Sequence, residues 1–189
     1  MIKILQKEDE VLRKVAKVVD DSLFGSDKLK KILADMSQAM VEQNDAVAIA
    51  APQIGVSLRI FMIAGKIFDE NFRRGTGLPK GQTSKHKDLV FINPEILKMS
   101  TDKKSVPEAC LSVRWLVGKT KRATRAKIEA KDASGQEFVY DASGLIAQIF
   151  QHETDHLNGI LFIDHAKNIK DEGDKHIKKD EPKRKPKTK

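Results

Sequence analysis

Long apolar runs are missing from this 189-residue chain, and none approaches the ~20 residues a membrane-spanning helix needs. Classes built on such helices are excluded, and no membrane partner is expected. The first residues form neither an apolar signal segment nor an Arg/Ser-rich transit segment. Cysteine is almost absent. Cys110 stands alone, which rules out a disulfide framework and fits a reducing cytoplasm. Trp115 and Tyr140 are likewise single and are not interleaved with basic residues, so an aromatic stacking platform for RNA is not indicated. Internal repeats are also lacking.

Negative charge is in short supply, with 27 Asp and Glu against 35 Lys and Arg. The excess sits at one end. Residues 175–189 hold eight cations and two acids, 8 − 2 = +6, so the rest of the +8 chain carries 8 − 6 = +2. A nucleic-acid-binding face on the folded part is therefore not expected. A basic extension acts as a solvated arm, with phosphate attraction a common second use. The length suits one domain, placed at 1–168, followed by a flexible basic tail at 169–189. Within that tail residues 180–189 read as disordered.

Two stretches have helical periodicity. Ser26 and Asp27 can cap a helix whose stripe is Leu29, Ile32, Leu33, Met36 and Met40, ending at Asn44 and Asp45. A second helix starts near Ser143, with Leu145, Ile146, Ile149 and Phe150 apolar, and stops at Asn158 and Gly159. Val11 to Val19 suggests a turn or short helix. Residues 58–63 form a buried strand, and a short strand at 89–92 stops before Pro94. Residues 126–130 and 137–140 pair through the turn Ala133-Ser134-Gly135. Between 65 and 87 lies a long polar, glycine-containing surface loop. The order of elements gives α+β rather than alternating βα units.

The second helix carries Gln151-His152-Glu153-Thr154-Asp155-His156-Leu157-Asn158-Gly159, an H-E-x-x-H pattern. Residues four apart share one helix face, so two imidazoles can meet one metal ion beside a carboxylate that moves a proton. The alternative is an amphipathic helix with solvated or paired histidines. A catalytic site of this kind needs a third protein ligand and an open position. Position 162 is Phe162, which excludes the proteases that place a third His there. Glu172 and Glu181 lie in a polar stretch without apolar periodicity, and Asp164 sits where the chain leaves the helix. Cys110 remains. A lone cysteine is usually a small buried hydrophobe, but its thiolate suits Zn²⁺ or Fe²⁺.

Three segments in order give the chain a resemblance to the peptide deformylase family. They are Ala46-Val47-Ala48-Ile49-Ala50-Ala51-Pro52-Gln53, Glu108-Ala109-Cys110-Leu111-Ser112, and the H-E-x-x-H segment itself. The resemblance runs from about residue 2 to about 168. It implies antiparallel sheets packed around a central helix that carries the metal ligands. It also implies hydrolysis of the N-formyl group from the formylmethionine of nascent polypeptides, releasing formate. Cys110, His152 and His156 would hold one divalent metal, Fe²⁺ physiologically, with Zn²⁺, Ni²⁺ or Co²⁺ in purified protein. Glu153 would be the general acid–base, while the Gln53 amide and the Leu111 N–H would stabilise the oxyanion. Val47, Ala48, Ala109, Leu145, Gln148 and Ile149 would contact substrate. A monomer is expected, with the basic tail docking on the ribosome.

The chain departs from the family pattern where Ala46, Ala48 and Ala109 replace glycines and where Gln148 replaces an apolar residue. The alanines would be strained if those positions needed a left-handed backbone, and harmless in ordinary strands. Two other classes compete with a deformylase. One is a metallopeptidase or other amide hydrolase on the same metal site. The other is an inactive relative that binds ribosomes or nascent chains.

Overall fold

The computed structural model describes residues 2–43, 45–79 and 81–173. Segment 174–189, which holds most of the expected basic tail, lies outside the described residues. The helices are α1 (Asp27–Val41) and α2 (Gly144–Leu157). The strands are β1 (Ala48–Ala50), β2 (Ile60–Ile63), β3 (Leu89–Met99), β4 (Lys103–Ala109), β5 (Leu116–Ala123), β6 (Arg125–Lys131), β7 (Glu137–Ser143) and β8 (Lys167–Asp171). They form a larger sheet, β1-β2-β3-β6-β7, and a smaller one, β4-β5-β8, both antiparallel. Helix α2 packs on strands of both sheets. This is the α+β architecture around a central helix that the sequence predicts.

Strand β2 is buried along its whole length, because each of its faces meets a different helix. Phe61 and Ile63 join Phe91 and Phe150 on the α2 side, while Ile60 and Met62 meet Leu29, Met36 and Met40 on the α1 side. Helix α1 starts where its cap predicts. The Ser26 hydroxyl accepts the Leu29 N–H at 3.2 Å. Helix α2 is anchored by Phe150, edge-on to Phe91 at 5.3 Å and to Tyr140 at 5.8 Å. It ends in a glycine cap, with the Gly159 N–H on the His156 carbonyl and the Ile160 N–H on that of Asp155. Gly159 has φ +74°, and a Cβ there would lie 2.6 Å from the Arg13 carbonyl oxygen.

Two expectations need correction. Strand β3 does not stop before Pro94 but continues to Met99. The register shifts between Ile92 and Glu95, and Asn93 has φ 51°, so the proline falls at a bulge that needs no ladder donor. The Asn93 amide also holds both the N–H and the carbonyl of Val19. Strands β4 and β5 were not predicted at all. Their inward positions hold Glu108, Gly118, Thr120 and Arg122, which removes the apolar alternation a sequence reading uses. Strand β8 pairs with β5 across residue 168, so ordered chain passes the expected domain boundary. The described residues of the 65–87 stretch form a loop apart from a 3-10 turn at Gly65–Phe68, as expected.

Candidate metal centre

Three elements bring the site together. Helix α2 supplies His152 and His156, whose ring centroids lie 5.0 Å apart. The end of β4 delivers Cys110, with its Sγ 3.2 Å from His156 Nε2. The ligand atoms of Cys110, His152 and His156 all lie within 4.8 Å of one another. A tetrahedral site with metal–nitrogen and metal–sulfur bonds near 2.1 and 2.3 Å has ligand–ligand edges of roughly 3.5 Å. The cluster fits a cation of that size, and a thiolate with two imidazoles is a donor set for Zn²⁺ or Fe²⁺. Among the described residues this is the one such cluster.

Charged side chains hold these ligands. His152 Nδ1 faces Glu108 Oε2 at 3.3 Å, which leaves Nε2 as its second ring nitrogen. Glu108 is buried, and Arg122 of β5 grips it with two hydrogen bonds of 2.8 and 3.0 Å. The same guanidinium reaches Asp155 of α2 at 2.7 Å. Burial works to raise the Glu108 carboxyl, but His152 and Arg122 outweigh it and hold the group far below its ordinary range. For His152, burial disfavours charge, while Cys110 and Glu108 more than reverse that. His156 is shifted down, first by burial and then by His152. Its Nδ1 has no hydrogen-bond partner among the described residues.

Glu153 is buried, and burial pushes its carboxyl up to about 7. Its Oε2 has no hydrogen-bond partner among the described residues. Such a carboxyl can both take and return a proton near neutral pH. Gln53 sits in a 3-10 turn (Ala51–Ile54) that follows β1. Its Oε1 accepts the Ala50 N–H at 2.8 Å. The amide nitrogen must then point the other way, 3.1 Å from Ser112 Oγ and 3.6 Å from Cys110 Sγ. Leu111 is buried beside Cys110, with its carbonyl held by Gln6 Nε2 at 3.0 Å.

The residues expected to contact substrate fall into two groups. Leu145 and Gln148 line a cleft of about 520 Å³ with Val106, Arg74 and Arg122. Ala48 and Ile149 are buried in the core, where Val47 packs half-buried, and Ala109 is exposed at the end of β4. Among the described non-glycine residues only Asn93 and Asn168 have positive φ, so Ala46, Ala48 and Ala109 carry no left-handed strain. Gln148 turns inward. It donates to the Pro107 carbonyl at 3.0 Å and to Glu108 at 3.2 Å, and accepts from Arg74 at 3.2 Å. Arg74 also reaches the Pro107 carbonyl at 2.8 Å.

Sequence reasoning gave no role to Glu108, Arg122, Ser112 or Arg74. An acid two residues before the only cysteine was a signal for Glu108. Nothing local to Arg122 or Arg74 marks them, because both act across long sequence separations.

Comparison with known proteins agrees with this geometry. Residues 1–172 match the sequence profile of the polypeptide deformylase family. Peptide deformylase 1 of Clostridium perfringens is 42% identical over 158 residues, covering 84% of this chain and 92% of that protein. A class I type b peptide deformylase from Acinetobacter baumannii, solved with Met-Ala-Ser bound, superposes with a TM-score of 0.75 at 31% identity, covering 87% of this chain and 98% of that one. A Legionella pneumophila peptide deformylase gives 0.73 at 34% identity, covering 89% and 87%. The chain belongs to the polypeptide deformylase family.

Proposed function

We propose that the site around Cys110, His152 and His156 hydrolyses the N-formyl group of formylmethionyl polypeptides, with the residues in the roles that follow. The carrying observation is the meeting of one thiol and two imidazoles beside a buried carboxyl shifted to about 7. Cys110, His152 and His156 would hold a divalent metal, which when bound supplies Lewis acidity and a water acidified to near neutral pKa. Fe²⁺ is the proposed physiological ion, since a thiolate and two imidazoles accept it. Zn²⁺, Ni²⁺ or Co²⁺ would occupy the same donors in purified protein.

Glu153 takes the proton of the attacking water and returns it to the departing amine. Its raised pKa matches both halves of that task. The Gln53 amide nitrogen, fixed by the Ala50 N–H, and the Leu111 N–H serve the oxygen that becomes negative at the formyl carbon. One such donor typically contributes ~3–4 kcal/mol to the barrier. Glu108 and Arg122 set the ring orientation of His152 and touch no reacting atom.

The Acinetobacter relative, solved with Met-Ala-Ser, supports a methionine-headed peptide as the bound species. The cleft between Val106 and Leu145 is the proposed seat for part of that peptide. The basic segment 175–189, outside the described residues, is a proposed ribosome contact, and its deletion should weaken co-sedimentation with ribosomes at low salt. The deciding assay is formate release from a formyl-Met peptide by anaerobically purified protein of measured metal content. An unblocked peptide of the same sequence is the control. Cleavage of the control with no formate from the first would favour the metallopeptidase reading instead.

A further inference from the structure

The near-neutral balance of residues 1–174 hides a segregation of charge. In β5, Gly118, Thr120 and Arg122 turn inward, while Lys119 and Lys121 turn out. The register extends that outer face to both neighbours. Lys121 lies opposite Ser105, Ala123 opposite Lys103, Lys119 opposite Pro107 and Lys167, and Val117 opposite Lys170. Across these paired positions the outer face of the small sheet presents Lys103, Lys119, Lys121, Lys167 and Lys170, all exposed, and no carboxylate, with Glu172 next in line where its N–H meets the Trp115 carbonyl. None of the five side chains makes an ion pair or hydrogen bond among the described residues. The larger sheet is different. There Lys127 lies opposite Asp141 with 3.8 Å between the charges, and Lys131 holds Asp21 at 2.8 Å.

Like charges placed directly opposite each other, as Lys119 and Lys167 are, destabilise a sheet. An anion laid across them removes that repulsion. From strand geometry the patch covers about 10 Å by 20 Å. Between the lysines stand only small or short residues, Ser105, Pro107, Ala109 and Val117, so the ammonium groups stand clear of the surface. Trp115, 39% exposed, stands beyond the lysines at one end of the face, so across the lysines themselves there is no ring to stack bases and no large apolar side chain to insert among lipid chains. What remains is contact with a phosphate backbone. We propose that this face binds the backbone of structured RNA. Its RNA source rests on the reading above, which places the enzyme where polypeptides are made. Glu108 and Arg122 point from the opposite side of the same strands, so RNA on the outer face leaves the metal centre open.

The test uses the full chain, tail included, and anisotropy of a labelled RNA duplex across roughly 50–200 mM salt. One variant carries Lys→Gln at 103, 119, 121, 167 and 170. A control loses the same charge elsewhere, at Lys14, Lys28, Lys30, Lys31 and Lys127. With about 0.9 per phosphate contact, the face variant should lower the slope of log K against log salt by about 4–5, and the control by less than about 1. Melting temperature and activity on a short formylated peptide establish that both variants fold. If the five-site variant does not, Lys119→Gln with Lys121→Gln should lower the slope by about 2. Equal losses in face and control variants would overturn the proposal. So would RNA binding that survives in the face variant while its recruitment to phosphatidylglycerol vesicles is lost.

Discussion

At the residue scale the chemistry depends on which atoms are already engaged. Gln53 can present only its nitrogen to the thiol, because the Ala50 N–H claims its oxygen. Glu153 is available for a proton because no partner among the described residues occupies its Oε2. Glu153→Gln should retain the metal and lose turnover ~100- to 10,000-fold, measured as formate release against metal content. Turnover near that of the parent would remove Glu153 from its role. Cys110→Ser should instead lower metal content itself, and full occupancy in that variant would break the ligand assignment. The alanines that replace family glycines now carry a revised expectation. Their backbones are unstrained, and Ala46 and Ala48 are buried. Restoring glycine at 46, 48 and 109 should leave KM for formyl-Met peptides unchanged and lower stability by about 0.5–1 kcal/mol per site. A lower KM would show that their methyl groups crowd the peptide.

At the scale of elements, Arg122 is the tie between β4, β5 and α2, through Glu108 and Asp155. Arg122→Met would leave Glu108 buried beside His152 without its cation. Removing one partner of a buried pair costs about 3–5 kcal/mol, which a denaturant melt would read directly. An unchanged midpoint would mean that the pair contributes nothing to holding β4, β5 and α2 together. The helices were legible in the sequence because each shows one apolar face to one neighbour, and their caps, Ser26 and Gly159, are local signals. Hairpin β6–β7 was legible for the same reason, with its turn at Asp132 to Gly135. Strands β4, β5 and β8 were not, since the inward positions of β4 and β5 hold Glu108, Gly118, Thr120 and Arg122 and β8 is exposed throughout, which leaves no apolar alternation to detect. The end of β3 was misplaced because a bulge accommodates Pro94, and bulges leave no composition trace. At the site, the meeting of Cys110, His152 and His156 could be expected from their spacing and from the family motifs. The Arg122 clamp and the Arg74–Gln148 contact could not, because only the fold brings those residues together.

For the whole molecule, two linkage effects follow. A cation that binds only the assembled site stabilises the fold by about 2.7 kcal/mol at a hundred times its Kd, so chelation should lower Tm and reloading should restore it. Acid acts just beyond the C-terminus of α2. Burial works to raise the Asp164 carboxyl, but Arg13 and the Leu161 N–H outweigh it and hold the group below its ordinary 3.8. A depressed carboxyl contributes stability above its unfolded pKa and loses it as pH falls through the lower folded value. Asp164→Asn should therefore be less stable than the parent at neutral pH, with the gap closing below about pH 4. A gap that is constant with pH would place the effect in packing rather than charge. The N-terminal arm has a further consequence, for the time at which this chain can fold. Gln6 holds Leu111 and Arg13 holds Asp164, separations of 105 and 151 residues, and the Ala16 N–H closes on the Leu157 carbonyl. Residues 6–16 thus wait for partners between 111 and 164. At about 5–20 residues per second, the early apolar segments stay unpartnered for several seconds or more. Contacts of such long range also make folding slow once the chain is complete. An enzyme that trims newborn chains would itself be among the late finishers, dependent on whatever shelters Leu12, Phe61 and Ile63 until α2 and the turn after it arrive.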